Sequence, residues 1–341
     1  MYTVKMRSLD VAALFNVPKL PVYINQVEQE LNSVLMSSNR YIRLPLTRLF
    51  NAKSKRLRPM FIIAVANAQG AKIDGDVIKA CSAIELLHIA SLVHDDIRDN
   101  ADMRWHIPTL NAREGVNQAI IFGDFLFAKA FEQAASVNLD VARLIGTSFA
   151  ALCDGESRET ADSFSINRSV QALLTTHRGK TASLFSASCR IGAVCADSSR
   201  SALDAFTGYG KNFGMAFQLT DDLLDLLSTE ELLGKPVHKD VVEGSYTMPI
   251  ILALKGLNSK TLKKLLVQDK LNNELLIETL LKSGSIQATL HKIQKYNKAA
   301  AESIGALRAS PSISALKNLP SNYLDAALKN YVDPKYQGLA S

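Results

Sequence analysis

ACSAIELLHIASLVHDDIRDNADMRW, residues Ala80–Trp105, decides how this chain is read. Up to Val93 the stretch is apolar, broken only at single positions such as Glu85 and His88. It then presents Asp95, Asp96, Asp99 and Asp102 in close succession. A charged group taken out of water needs a compensating partner. Either a helix end turns out to solvent here, or the carboxylates hold something positive.

A second cluster favours the latter. FQLTDDLLDLL (Phe217–Leu227) places Asp221, Asp222 and Asp225 inside another apolar run. DDIRD and DDLLD share one pattern, and the i, i+4 spacing puts Asp95 with Asp99, and Asp221 with Asp225, on one helix face. Like charges this close raise one another's pKa unless cations neutralise them. A single such cluster is most often a solvated acidic patch; two, both embedded in apolar helix, are not. Carboxylates plus substrate phosphates are what Mg²⁺ takes. Facing helices would line a cavity mouth with six carboxylates, fit for a di- or triphosphate held through Mg²⁺.

Basic residues accompany the clusters. Lys55, Arg56 and Arg58 lie in KRLRP, His88 lies two helical turns before Asp95, and Arg104 follows it. Lys180 lies in GKTASLF, and Lys235 in LGKP. Each alone reads as a surface cation, and His88 alone as a core histidine. Beside two metal-type clusters they read as a set that binds a second anionic group directly.

Working outward, the apolar periodicity is helical over most of the length and no run alternates as a strand does. The expected fold is all-α, one domain over residues 1–341, with residues 1–20 a flexible N-terminal segment. That segment makes a poor signal peptide and at most a weak transit peptide. The 341 residues are 47% hydrophobic and 21% charged, a globular composition with ample core. Polar interruptions keep every apolar run short of the roughly 20 clean residues of a membrane span. The net charge of +6 is scattered, without the basic–aromatic stripe or zinc spacing of a nucleic-acid binder. Cys81, Cys153, Cys189 and Cys195 form no CxxC pair and read as reduced core thiols of a cytoplasmic protein.

KRLRP, ELLHIASLVHDDIRDNADMR, IPT, GDFLFA, GKTASLF, FQLTDDLLD and LGKP occur in the order and spacing of the all-trans prenyl diphosphate synthases, or polyprenyl synthetases. The chain resembles that family from about residue 25 to about residue 335. The resemblance implies a bundle of long helices around a deep central cavity, usually a homodimer. It implies that Asp95, Asp96, Asp99, Asp221, Asp222 and Asp225 hold Mg²⁺ on an allylic diphosphate, which Arg104, Lys180 and Lys235 also touch. Lys55, Arg58 and His88 would hold isopentenyl diphosphate without metal. Gln218 would lie near the allylic diphosphate, and Thr181 near the reacting carbons. Ala90 and Ser91, four and five residues before Asp95, occupy the positions where a bulky aromatic caps the cavity of short-chain members. Their small size implies a product of C20 or longer.

Departures from the family pattern keep alternatives open. Lys53-Ser54 replaces a glycine pair, Trp105 replaces a second arginine, His106 a glycine, His238 a glycine, and Ser245 a lysine. Tryptophan is no substitute for a bidentate cation. His106 and His238 would compensate only if protonated. A terpene synthase of the same fold would ionise the allylic diphosphate without condensation; the retained Lys55, Arg58 and His88 argue against it. A non-catalytic subunit of a heteromeric synthase would more often lose aspartates, and all six are present.

Overall fold

In the computed structural model, residues 11–52, 55–105, 107–233, 237–256, 259–268 and 271–339 are described, the last without its side chain. The elements are α1 Val11–Phe15, α2 Leu20–Met36, α3 Arg40–Phe50, α4 Leu57–Ala68, α5 Gly75–Arg98, β1 Met103–Arg104, β2 Ile107–Pro108, α6 Leu110–Glu114, α7 Val116–Val137 and α8 Leu139–Ala161. There follow α9 Val170–His177, a π-helical turn Arg178–Ala182, α10 Ser183–Val194, α11 Arg200–Leu227, α12 Glu230–Leu233 and α13 Lys239–Val242. The chain closes with α14 Met248–Ala253, α15 Ser259–Leu266, α16 Asn273–Lys282, α17 Ser285–Ser303, α18 Pro311–Tyr331 and a 3₁₀ turn, Pro334–Leu339. The fold is all-α, as expected. The one strand pair among the described residues is a two-residue antiparallel hairpin, Arg104 opposite Ile107.

Helix starts follow local chemistry. Asp74 caps α5 by accepting from the Asp76 and Val77 amides, and Asn39 does the same for α3 through Tyr41 and Ile42. Beyond its caps, α5 is buried on most sides, packing on α2, α4, α7 and α8. By length and composition it could cross a membrane, contrary to the sequence expectation, yet most of it lies inside the bundle. Two apolar clusters form the core. One is centred on Phe61, whose ring meets Phe15, Phe185 and Phe213 at centroid separations of 5.0, 5.5 and 4.6 Å. The other joins the C-terminal half of α11 to α14, α17 and α18.

Two expectations need correction. Residues 11–20 are not a flexible tail: Val11, Phe15 and Leu20 are buried in the core, and α1 packs on α4 and α18. Cys153 is exposed on α8, whereas Cys81 and Cys189 are buried as expected; all four thiols are free.

Candidate active site

The two aspartate clusters sit at the C-terminal ends of the two longest helices. Asp95 and Asp96 occupy the last turn of α5, and Asp99 is its C-cap, one residue past the helix, rather than a member of the helical face. Asp221, Asp222 and Asp225 lie in the last two turns of α11. Asp96, Asp222 and Asp225 are buried.

Between them stands α8, whose part the sequence reading missed. Arg98 binds Asp99 at 3.1 Å and Asp95 at 3.4 Å, and also Glu156 of α8. Glu156 in turn lies 3.3 Å from the Lys180 ammonium, which also binds Glu159. The next residue, Thr181, donates its hydroxyl to Gln218 Oε1 at 2.6 Å, and the Gln218 amide donates to Asp222 Oδ1 at 2.9 Å. Two polar chains, one from each cluster, therefore end on adjacent residues of the π-helical turn, Lys180 and Thr181. Glu156 and Glu159, in CDGESRET, left no signal in sequence because charged residues on an amphipathic helix usually face solvent.

Lys180 and Thr181 reach this position because α8 and the π-helical turn approach backbone to backbone. A Cβ at Gly155 would come within 2.3 Å of the Lys180 amide nitrogen, and one at Gly179 within 2.5 Å of the Ala151 carbonyl. Only glycine allows this approach. Such π-helical turns insert one residue into a helix and re-aim its side chains.

Burial and mutual charge set the protonation of the site. Burial pushes the Asp95, Asp96 and Asp222 carboxyls above the usual range, and for Asp222 the neighbouring Asp240, Asp221 and Glu159 add to the effect. Lys180, despite burial, is held protonated by Glu159, Glu156 and Asp95. Asp222 Oδ2 is buried without a hydrogen-bond partner, with His177 Nε2 at 3.5 Å. Burial holds His177 neutral, its pKa down to about 3. Among the described residues no three His, Cys, Asp or Glu side chains converge as a ready metal cage. The aspartates of the first cluster are instead paired with Arg98 and with Arg104, which binds Asp96 at 2.8 Å. Lys239 of α13 reaches Asp99 at 3.8 Å, tying the segment after α11 to the first cluster.

A second cationic group surrounds His88. Arg58 lies against the Phe185 ring at 4.9 Å, its Nε buried without a hydrogen-bond partner and its pKa lowered by burial to about 10. Burial, then Arg58, Arg104 and Arg56, push the His88 pKa well below 6.5. His88 is therefore a neutral ring here. Arg56, by contrast, is structural: it is buried between Glu85 at 2.8 Å and Glu28 at 2.6 Å. Lys55 is exposed over the Tyr331 ring at 5.3 Å. Ala90 is fully buried, and Ser91 donates its hydroxyl to the His88 carbonyl.

Trp105 sits at φ 50° in the turn between β1 and β2, half-buried against the core. Ser245 donates its hydroxyl to Glu159 at 3.3 Å. His238 is buried and its pKa lowered by that burial, so it supplies no cation. Lys235, together with Lys53, Ser54 and His106, lies outside the described residues.

The polyprenyl synthetase family model matches residues 39–282. The chain is 31% identical to the heptaprenyl diphosphate synthase component 2 of Bacillus subtilis, over 86% of this chain and 86% of that one. It is also 31% identical to the geranylgeranyl diphosphate synthase of Saccharolobus solfataricus, over 88% and 92% of the two chains. The structure superposes on that of a Caulobacter crescentus polyprenyl synthase complexed with calcium and isoprenyl diphosphate, with a TM-score of 0.84 and 28% identity, over 94% and 98% of the two chains.

Proposed function

The chain belongs to the polyprenyl synthetase family and is a prenyltransferase, and we propose that it condenses isopentenyl diphosphate with an allylic diphosphate, with Mg²⁺, into an all-trans prenyl diphosphate of C20 or longer. The observation that carries this reading is the convergence of two polar chains on the π-helical turn: Arg98–Glu156–Lys180 from the first aspartate cluster and Asp222–Gln218–Thr181 from the second.

The donor set fits a hard cation: carboxylates only, several raised in pKa by burial, one with a buried unpartnered oxygen. Asp95, Asp96, Asp99, Asp221, Asp222 and Asp225 would hold Mg²⁺, which when bound supplies electrophilic stabilisation of the leaving diphosphate. A substrate diphosphate offers Arg98, Arg104, Lys180 and Lys239 a second anionic partner, releasing the carboxylates they now neutralise. These cations stabilise the charge that develops as the allylic C–O bond breaks. The isopentenyl double bond then attacks the allylic carbon, and a proton is lost to the departed pyrophosphate. Arg58 and Lys55 would hold isopentenyl diphosphate through charge, and His88 through a neutral N–H. Thr181, bonded to Gln218, would steady the developing carbocation. Ala90 and Ser91 would leave room for the growing chain above the first cluster.

Exposed Val116, Ile120, Ile121 and Phe131 of α7 form an apolar face suited to a second copy, which supports the homodimer. Thiols without CxxC spacing support a cytoplasmic site of action.

The test is a product assay of the purified chain with Mg²⁺ and geranyl, farnesyl or geranylgeranyl diphosphate, with and without labelled isopentenyl diphosphate. Label is expected in longer allylic diphosphates. Hydrocarbon or alcohol from the allylic substrate alone would instead identify a terpene synthase. The heptaprenyl relative is named as one component of a synthase, which favours a second reading: a subunit that elongates only with a partner. That reading would be carried by label incorporation that requires a second protein.

A further inference from the structure

The helix α3, RYIRLPLTRLF, has two unlike faces. Pro45, Leu46, Leu49 and Phe50 are buried against the protein. The opposite arc carries Arg40, Tyr41, Arg43, Leu44, Thr47 and Arg48. On it Tyr41 is 71% exposed and Leu44 60%, and Met36, at the end of α2, adds an apolar side chain 66% exposed. The sequence from Leu31 to Ile73 contains Arg40, Arg43, Arg48, Lys53, Lys55, Arg56, Arg58 and Lys72 and not one Asp or Glu. Among the described residues, the one carboxylate that pairs with this face is Glu114 of α6, 3.5 Å from Arg48 and equally far from Arg113. Beside the face, between α3 and the β2–α6 segment, lies a cavity of about 200 Å³, lined by Arg48 and Arg113 among proline, leucine and isoleucine side chains.

We propose that the outer face of α3, with the end of α2, docks the protein on an anionic phospholipid bilayer. An in-plane helix binds a bilayer by sinking apolar side chains below the headgroups while its cations meet the lipid phosphates. Tyrosine at the headgroup level and arginines beside it fit that layer. Long-range attraction of a soluble diphosphate would account for the arginines but not for large apolar side chains held in water beside them. A second copy of the chain is disfavoured by charge, since a shared α3 face would set Arg40, Arg43 and Arg48 against their own copies. The exposed face of α7, with Asp124, Lys129 and Glu132 of both signs, has no such bias. The inference goes beyond the proposed reaction and does not depend on which prenyl product is made.

The experiment is co-sedimentation of the full chain with vesicles of phosphatidylcholine alone or with about one-third phosphatidylglycerol, at low and high salt. Each cation near an anionic surface strengthens partitioning about fivefold. The protein is expected to pellet with the anionic vesicles, to be released by salt, and to pellet little with phosphatidylcholine. Arg40→Gln/Arg48→Gln and Tyr41→Ser/Leu44→Ser, on an exposed face that carries none of the proposed catalytic or substrate-binding residues, are each expected to weaken binding tenfold or more. Both should keep the native melting temperature and the native prenyl transfer rate in detergent. Absence of binding to anionic vesicles, or binding unchanged in both variants, overturns the proposal. So does a variant that alters the native mass in solution, because the face would then join protein to protein.

Discussion

Two arginines two positions apart, Arg56 and Arg58, do different work, and their partners distinguish them. Arg56 lies between Glu85 and Glu28, so removing it strips a buried carboxylate of its guanidinium. Arg56→Met is expected to cost about 3–5 kcal/mol, read as a large fall in denaturation midpoint. The Arg58 Nε has no hydrogen-bond partner, and burial works against its charge. Arg58→Met should leave the denaturation midpoint near native while raising KM for isopentenyl diphosphate at least tenfold, the signature of lost substrate binding. The position of Ser91, one turn before Asp95 in α5, carries a product prediction. Ser91→Phe fills space above the first cluster, and chromatography of the products should show a shift to shorter chains. Unchanged lengths would remove Ser91 from the account of product size.

At the scale of elements, the decisive contact is α8 against the π-helical turn. Gly155→Ala would drive a methyl group into the Lys180 backbone. The expected cost is about 1–3 kcal/mol from overpacking. The displaced Lys180 and Thr181 should lower kcat by about 10²-fold, since misplacement of this order is that costly. Steady-state kinetics beside thermal denaturation would check both; a near-native rate would mean that the turn tolerates the shift. The same contact shows what a sequence hides. GKTASLF is legible as a motif, but the π-helical geometry depends on a glycine in another helix, at Gly155.

For the whole molecule, the prediction concerns acid stability. His88 has its folded pKa pushed below the ordinary 6.5 by burial and by Arg58, Arg104 and Arg56. Below pH 6.5 the unfolded chain therefore takes up a proton that the folded chain refuses, and stability falls as the pH falls. The slope approaches about 1.4 kcal/mol per pH unit. Stability is fully present above pH 6.5 and lost below it. Denaturation midpoints between pH 7.5 and 5 should decline more steeply for the native chain than for His88→Asn, and equal slopes would sink the assignment.

Helical class and the location of both aspartate clusters were determined by the sequence itself, because periodicity and local charge are one-dimensional properties of a chain. Asp95, Asp96, Asp99, Asp221, Asp222 and Asp225 could be named before any fold was known, and so could Lys180, Thr181 and Gln218 through resemblance. Partnership was decided only by the tertiary structure. Glu156 and Glu159 on α8, the division of labour between Arg56 and Arg58, the neutrality of His88 and His238, and the reach of Lys239 to Asp99 all depend on what other helices bring within a few ångströms. Residues 11–20 read as a tail because five apolar-rich residues of α1 carry no periodic signal of their own; α4 and α18 supply the surface that buries them. Desolvation and ion pairing act through space, between residues far apart in sequence, and so they become legible only once the helices are packed.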